Sequence, residues 1–174
     1  MVHRHCVRGL TVDGMAEQSA AVIPSHPPEP VMKVMNPVLR YVLRTPLAGG
    51  ARKQFMVLNF KGRKSGRQFS IPVSAHEIDG QLYALAGATW KVNFRGGGPA
   101  EVLYDGKSRP MRGELIEDGA VVADLFHRCA TGYGAGRAQR MMGLKFRDAG
   151  LPSLEDFRQA VDENQLVAIR FTAT

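Results

Sequence analysis

The sequence predicts an α+β domain built on a strongly curved sheet or barrel of about six mostly antiparallel strands, flanked by four short helices. Two Asp-Gly pairs, Asp79-Gly80 and Asp105-Gly106, each lie between apolar or alternating runs, the pattern of tight hairpins. Segments of helical period stand at the ends and between the hairpins, not after every strand, so a regular βαβ succession is excluded. With 174 residues, 44% of them hydrophobic, the chain is long and apolar enough for one domain around a packed core.

Residues 1–31 are expected to be a disordered tail ahead of a 32–174 domain. Pro-Pro and Glu-Pro in SHPPEP at 25–30 block both helix and ladder pairing. His3, His5 and Cys6 lie close together there but have no second shell to orient them, so no metal site is expected. A helix is predicted over 36–45. Asn36 can cap it, Pro37 suits its first position, and Pro46 ends it. Val38, Leu39, Val42 and Leu43 form its apolar stripe, and Arg40 and Arg44 share one face.

The period then changes. Residues 55–60, mostly apolar, read as a buried strand, and the glycine-bearing turn 61–67 follows. Phe69, Ile71, Val73 and Ala75 alternate with Ser70, Pro72, Ser74 and His76, which places His76 on the polar, solvated face. Pro72 gives up a ladder donor, so its strand is an edge or a place where something else approaches. Strands are expected at 81–86, 100–104 and 108–116, with a short helix at 88–95 carrying Trp90 and Phe94. A helix over 120–130, a looser glycine-bearing stretch to 146, a helix over 154–163 opened by the S-x-x-D signal at Ser153, and a strand at 166–171 complete the chain.

Charge is distributed unevenly. Residues 1–32 hold two basic and three acidic groups, and residues 68–174 hold 12 and 13, so each block sums to −1. Residues 33–67 hold nine basic groups (Lys33, Arg40, Arg44, Arg52, Lys53, Lys61, Arg63, Lys64, Arg67) and no Asp or Glu. All of the net +7 therefore comes from this stretch. Such a cluster needs either distant carboxylates or an anionic partner: nucleic acid, a membrane surface or a phosphorylated small molecule. Two cysteines, Cys6 and Cys129, make no disulfide framework and no CxxC zinc pair. His127 and Cys129, two apart on a helix, point away from each other and share no metal. No apolar run nears the roughly 18 residues of a membrane span, and a cytoplasmic, reducing location is expected.

The turn Gly62-Arg-Lys-Ser-Gly66 lacks Walker A spacing and the helix after it. It offers the Gly62 and Gly66 amides, the Ser65 hydroxyl and the Arg63 and Lys64 cations to a phosphate or carboxylate. The run LNFKGRKSGRQFSIPVSAHEIDGQLYALAG, followed by Trp90-x-x-Asn93, resembles the deazaflavin-dependent nitroreductase family. NPVLRYVLRTPL is similar to that family's N-terminal helix, and the resemblance covers roughly 33–117.

The resemblance implies a split β-barrel, distantly related to the FMN-binding pyridoxamine-phosphate-oxidase-like proteins. It implies a reductase passing hydride from reduced coenzyme F420, with FMN as the alternative cofactor, to a quinone, enone or nitroaromatic. Lys64, Ser65 and Gly66 match the turn that holds the cofactor's anionic tail, with Arg63 and Arg67 beside them. Pro72 and Val73 would back the ring, Ala86, Gly87 and Ala88 would approach it by backbone, and Trp90 and Asn93 match the helix beyond. Tyr133 is the expected donor on the substrate side, because tyrosines of the C-terminal segment line that pocket in the family. Trp90-Lys91 replaces the family's Trp-Tyr, Ser74 stands at an often aromatic position, and GGG at 96–98 suggests a mobile lip. The competing expectations are a cofactor carrier without turnover and a basic nucleic-acid-binding module. Aromatics are missing within 61–67, which disfavours the latter. The expected partner is a small-molecule electron acceptor and not a nucleic acid, with peripheral membrane contact at most, for a monomer or homodimer.

Overall fold

The computed structural model describes residues 20–25, 37–39, 41–43 and 45–174. Residues 37–39 and 41–43 are helical, within the predicted 36–45 helix; Asn36, Arg40 and Arg44 lie outside the described residues. So do His3, His5 and Cys6.

Seven strands form one antiparallel sheet: β2 (Phe55–Lys61), β3 (Gln68–Ser74), β4 (His76–Ile78), β5 (Gln81–Ala86), β6 (Gly98–Tyr104), β7 (Lys107–Ile116) and β9 (Val167–Ala173). Their order is β3-β2-β6-β7-β9-β5-β4. The two edge strands, β3 and β4, are consecutive in sequence with only Ala75 between them. A sheet whose opposite edges are one residue apart must curl on itself, and the result is a half-barrel. Pro72 lies on edge strand β3, opposite Val57, and an edge is where a sheet tolerates proline. Both Asp-Gly turns form as expected. Asp79 and Gly80 have φ of 50° and 72°, and Asp105 and Gly106 have 47° and 72°, the doubly positive geometry that matches strand twist.

The sheet's alternation divides the core. Met56, Leu58, Leu82, Ala84, Val102, Ile169 and Phe171 face into the curl with Phe60 and Phe94. Tyr83 and Ala168 face outward onto α1 (Gly119–Tyr133) and α3 (Leu154–Asn164), where Phe126 and Phe157 pack 6.5 Å apart. Asp118 caps α1 by accepting from the Ala120 and Val121 amides. At α3 the capping box is complete: Ser153 accepts from the Asp156 amide, and the Asp156 carboxylate accepts from the Ser153 amide at 2.8 Å. The Ser153→Ala variant is expected to lose about 1 kcal/mol in urea unfolding; no loss would show that the box is replaced by solvent.

Four expectations are corrected. Val22–Pro24, inside the 1–31 stretch, is strand β1, paired with β8 (Leu144–Phe146), and Val22 is fully buried. Apolar Val22 and Ile23 supply the short ladder just before the proline cluster begins. The glycine-bearing stretch to 146 is not loose. It folds as α2 (Ala135–Met142) and β8, with Gly134 and Gly143 at positive φ marking the ends of the helix. The helix expected at 88–95 is a 3-10 helix, Thr89–Phe94. His76 is 1% exposed instead of solvated. The chain turns the sheet corner at Ala75, so the alternation of β3 does not continue in phase into β4.

Candidate functional site

A cleft of about 600 Å³ opens between β3, the end of β5, the 3-10 helix Thr89–Phe94 and α2. Pro72 and Val73 line it from β3, Ala86, Gly87 and Ala88 from the small-residue end of β5, and Trp90 from the 3-10 helix. Phe55, Leu85, Met141 and Met142 make the rest of its wall largely apolar. Six positions singled out from sequence thus converge from three elements on one cavity. Its size suits a multi-ring ligand.

The basic turn stands beside this cleft, held to the helix that carries Trp90. The Arg63 amide donates to Asn93 Oδ1 at 3.0 Å, and Asn93 Nδ2 donates to the Trp90 carbonyl at 2.8 Å. Asn93 is therefore a bracket between turn and helix, and it is not among the residues lining the cleft. The Arg63 guanidinium donates to the carbonyls of Arg95 and Gly97. Two of its five donors are thus spent on backbone, which makes it a strut of the turn, while its charge and remaining donors stay at the exposed surface.

The turn's two glycine amides are also engaged. Gly62 donates to the Arg67 carbonyl and Gly66 to the Gly62 carbonyl, both at 2.8 Å. The expectation that they face an anion is corrected: they close the turn. Ser65 Oγ accepts from the Arg67 amide at 3.3 Å, which leaves its hydroxyl proton to donate. Lys64 and Arg67 are exposed, and Arg67 also lies over the Phe69 ring, 5.9 Å from its centroid. The side-chain donors left for an anion are those of Lys64, Ser65 and Arg67, with the donors of Arg63 that the backbone does not take.

The GGG stretch is pinned, contrary to the expected mobile lip. Besides Arg63, Arg112 donates to the Gly96 carbonyl at 3.0 Å. Gly97 has φ +82°, and a Cβ there would lie 2.1 Å from the Arg112 guanidinium. Lys91 reaches across to the Gln165 carbonyl at 2.6 Å and ties the 3-10 helix to the end of α3.

Tyr133 is not brought to this cleft. Its hydroxyl lies 3.1 Å from His76 Nδ1, which is also 3.3 Å from Cys129 Sγ. Cys129 and Tyr133 line a separate cavity of about 320 Å³ with Arg128. Burial holds the His76 imidazole down at about 4 and pushes the Cys129 thiol and the Tyr133 phenol each up to about 12. At neutral pH all three are uncharged, so the Cys-His pair holds no thiolate for nucleophilic chemistry. The alternation of β3, read through His76, hid this cluster. No group of three or more His, Cys, Asp and Glu side chains suited to a metal occurs among the described residues. The wall that α2 supplies, Gln139 and Arg140 among its residues, was not anticipated. Their helix had read as loop because three glycines fall within 134–143.

No family model and no curated protein matches the chain. Among solved structures, a conserved hypothetical protein from Mycobacterium tuberculosis, Rv2991, is 16% identical, with a TM-score of 0.40 over 91% of this chain and 86% of that one. A second, described as a domain-swapped dimer, is 14% identical, with a TM-score of 0.41 over 82% of this chain and 99% of that one. Among the described residues no helix is long and apolar enough to cross a membrane.

Proposed function

We propose that the protein is a reductase that uses reduced coenzyme F420 to reduce an electron-poor small molecule such as a quinone, enone or nitroaromatic. The observation that carries this is the convergence of Pro72, Val73, Ala86, Gly87, Ala88 and Trp90 on one apolar cleft beside an exposed cationic turn. A cofactor with a flat apolar ring and a polyanionic tail needs those two surfaces side by side. The residues present fit such a group: small side chains and a proline leave room for a ring, and Lys64, Ser65 and Arg67 offer donors to phosphate and carboxylates. Bound in its reduced form, the cofactor supplies a hydride to the acceptor, whose anion then takes a proton from solvent. The protein's own part is to bind, orient and exclude water. Trp90 forms one wall, β3 and the end of β5 the other, and Asn93 and Arg63 fix the turn relative to that wall. Tyr133, in its separate cavity, has no role in this proposal.

Binding is the direct test. Purified protein is mixed in turn with oxidised F420, FMN and single-stranded DNA, and fluorescence quenching or anisotropy is followed. Tight binding of F420 alone is expected, and oxidation of the reduced cofactor on adding menadione separates an enzyme from a carrier. Lys64→Ala is expected to weaken F420 binding about fivefold and to flatten its salt dependence. Preference for FMN or DNA would overturn the proposal, and unchanged affinity in the variant would remove the tail from this turn.

A further inference from the structure

Among the described residues, Arg140 is the one charged side chain that lines the cleft, and no carboxylate lines it. Arg140 lies in the last turn of α2, between the buried Ala138 and Met141. Its backbone is held from two sides. Gln139 Oε1 accepts from the Phe146 amide at 3.1 Å, tying α2 to β8, and the Gly143 carbonyl accepts from the Ser25 amide at 2.7 Å. Among the described residues no carboxylate pairs with Arg140. A cation at a helix C-terminus also complements the helix dipole. That role needs only proximity to the last carbonyls and does not require the side chain to line an apolar cavity. Arg140 is exposed, so its charge is screened by solvent, but a guanidinium at the rim of an apolar cleft, with no carboxylate partner among the described residues, still favours anions over cationic ligands.

We infer that the acceptor reduced in this cleft is an aromatic or quinonoid compound bearing a fixed negative charge, a carboxylate or sulfonate, and that Arg140 is the residue that selects it. The inference rests on the reductase reading of the same cleft. Arg140 supplies a planar, bidentate donor at the mouth, while Trp90, Phe55 and Met141 cover the apolar rings.

Trp90 is the only tryptophan in the chain and lines the cleft, so its fluorescence reports occupancy directly. Anthraquinone-2-sulfonate and the neutral hydroxymethylanthraquinone are titrated against wild type, Arg140→Ala and Arg140→Lys, at low and high salt. Wild type is expected to prefer the sulfonate about tenfold at low salt, Arg140→Ala to lose that preference while binding the neutral compound as before, and Arg140→Lys to keep part of it. Equal affinity of wild type for the two quinones, or a preference that survives in Arg140→Ala, would overturn the assignment. Measured in parallel, F420 affinity should be the same in wild type and Arg140→Ala; a loss confined to the variant would give Arg140 to the cofactor's tail and also overturn it. Failure of wild type to bind F420, with the Arg140-dependent preference intact, would instead count against the reductase reading and leave the anion selection standing.

Discussion

A single added methyl at Gly113 is expected to cost about 3 kcal/mol of folding stability. Gly113 sits in β7 opposite Gly98 of β6, and the two facing glycines open a gap in the sheet that Phe94 fills. A Cβ on Gly113 would lie 2.5 and 2.8 Å from Phe94 ring carbons and 2.9 Å from a Phe171 ring carbon. Both rings are 1% exposed and packed against each other edge-on, 5.7 Å between centroids, so neither can swing away cheaply. Phe94 also meets the Trp90 ring edge-on at 6.2 Å, so the strain reaches the cleft wall. Urea unfolding of Gly113→Ala should show the loss, with a shifted Trp90 emission in the folded state. Gly132→Ala is the matched control. Gly132 is in α1 with nothing within 4 Å of an added Cβ, and the change should stabilise by about 0.5 kcal/mol. Equal stability of the two variants would mean that Phe94 does not occupy the gap.

Acid should destabilise the protein through His76. The imidazole is buried, and its pKa falls from 6.5 to about 4 because burial disfavours the charged form. Above pH 6.5 the residue is neutral in both folded and unfolded chains and contributes no pH dependence. Between pH 6.5 and 4 the unfolded chain binds the proton and the folded one does not, so stability falls as pH falls, by about 3 kcal/mol at the lower end. The carboxyls of Asp156 and Glu117 are held below their usual range by hydrogen bonds from Ser153 and Arg95 respectively, so their contributions are lost at more acidic pH, as they protonate. Urea midpoints measured from pH 7.5 down to 4 should trace the His76 slope, and His76→Gln should flatten it whatever its absolute stability. A flat wild-type profile over that window would mean that the imidazole is solvated.

His76 also shows where reading the chain locally stops working. Its place in an unbroken alternation with Ser70, Pro72 and Ser74 puts it on the solvent side, and that inference is valid only while the strand keeps one face outward. Ala75 ends that condition, because there the chain leaves one edge of the sheet and begins the other. The glycine amides of the basic turn are a second instance. Composition shows unshielded N–H groups at Gly62 and Gly66, but only the closed turn shows both donating to its own carbonyls. Arg63 is a third: as a cation it reads as an anion ligand, while its two acceptors belong to Arg95 and Gly97, more than 30 positions away.

Local rules alone determined the hairpins, the S-x-x-D start of α3 and the small-residue end of β5, and they left the Pro72 strand as either an edge or a place of close approach. Each depends on backbone preferences or on a period of a few residues. Six residues of the cleft wall were expected for a different reason: the resemblance to the deazaflavin-dependent nitroreductase family implied them, and no local rule placed them together. Tertiary structure decided that the sheet's two edges meet at Ala75, that Val22–Pro24 pairs with Leu144–Phe146, that Tyr133 lies with His76 and Cys129 instead of at the cleft, and that Arg140 stands on its wall. Those outcomes depend on contacts between distant segments. Their partners are chosen by closure of the sheet and burial of its two faces, which no window of neighbouring residues contains.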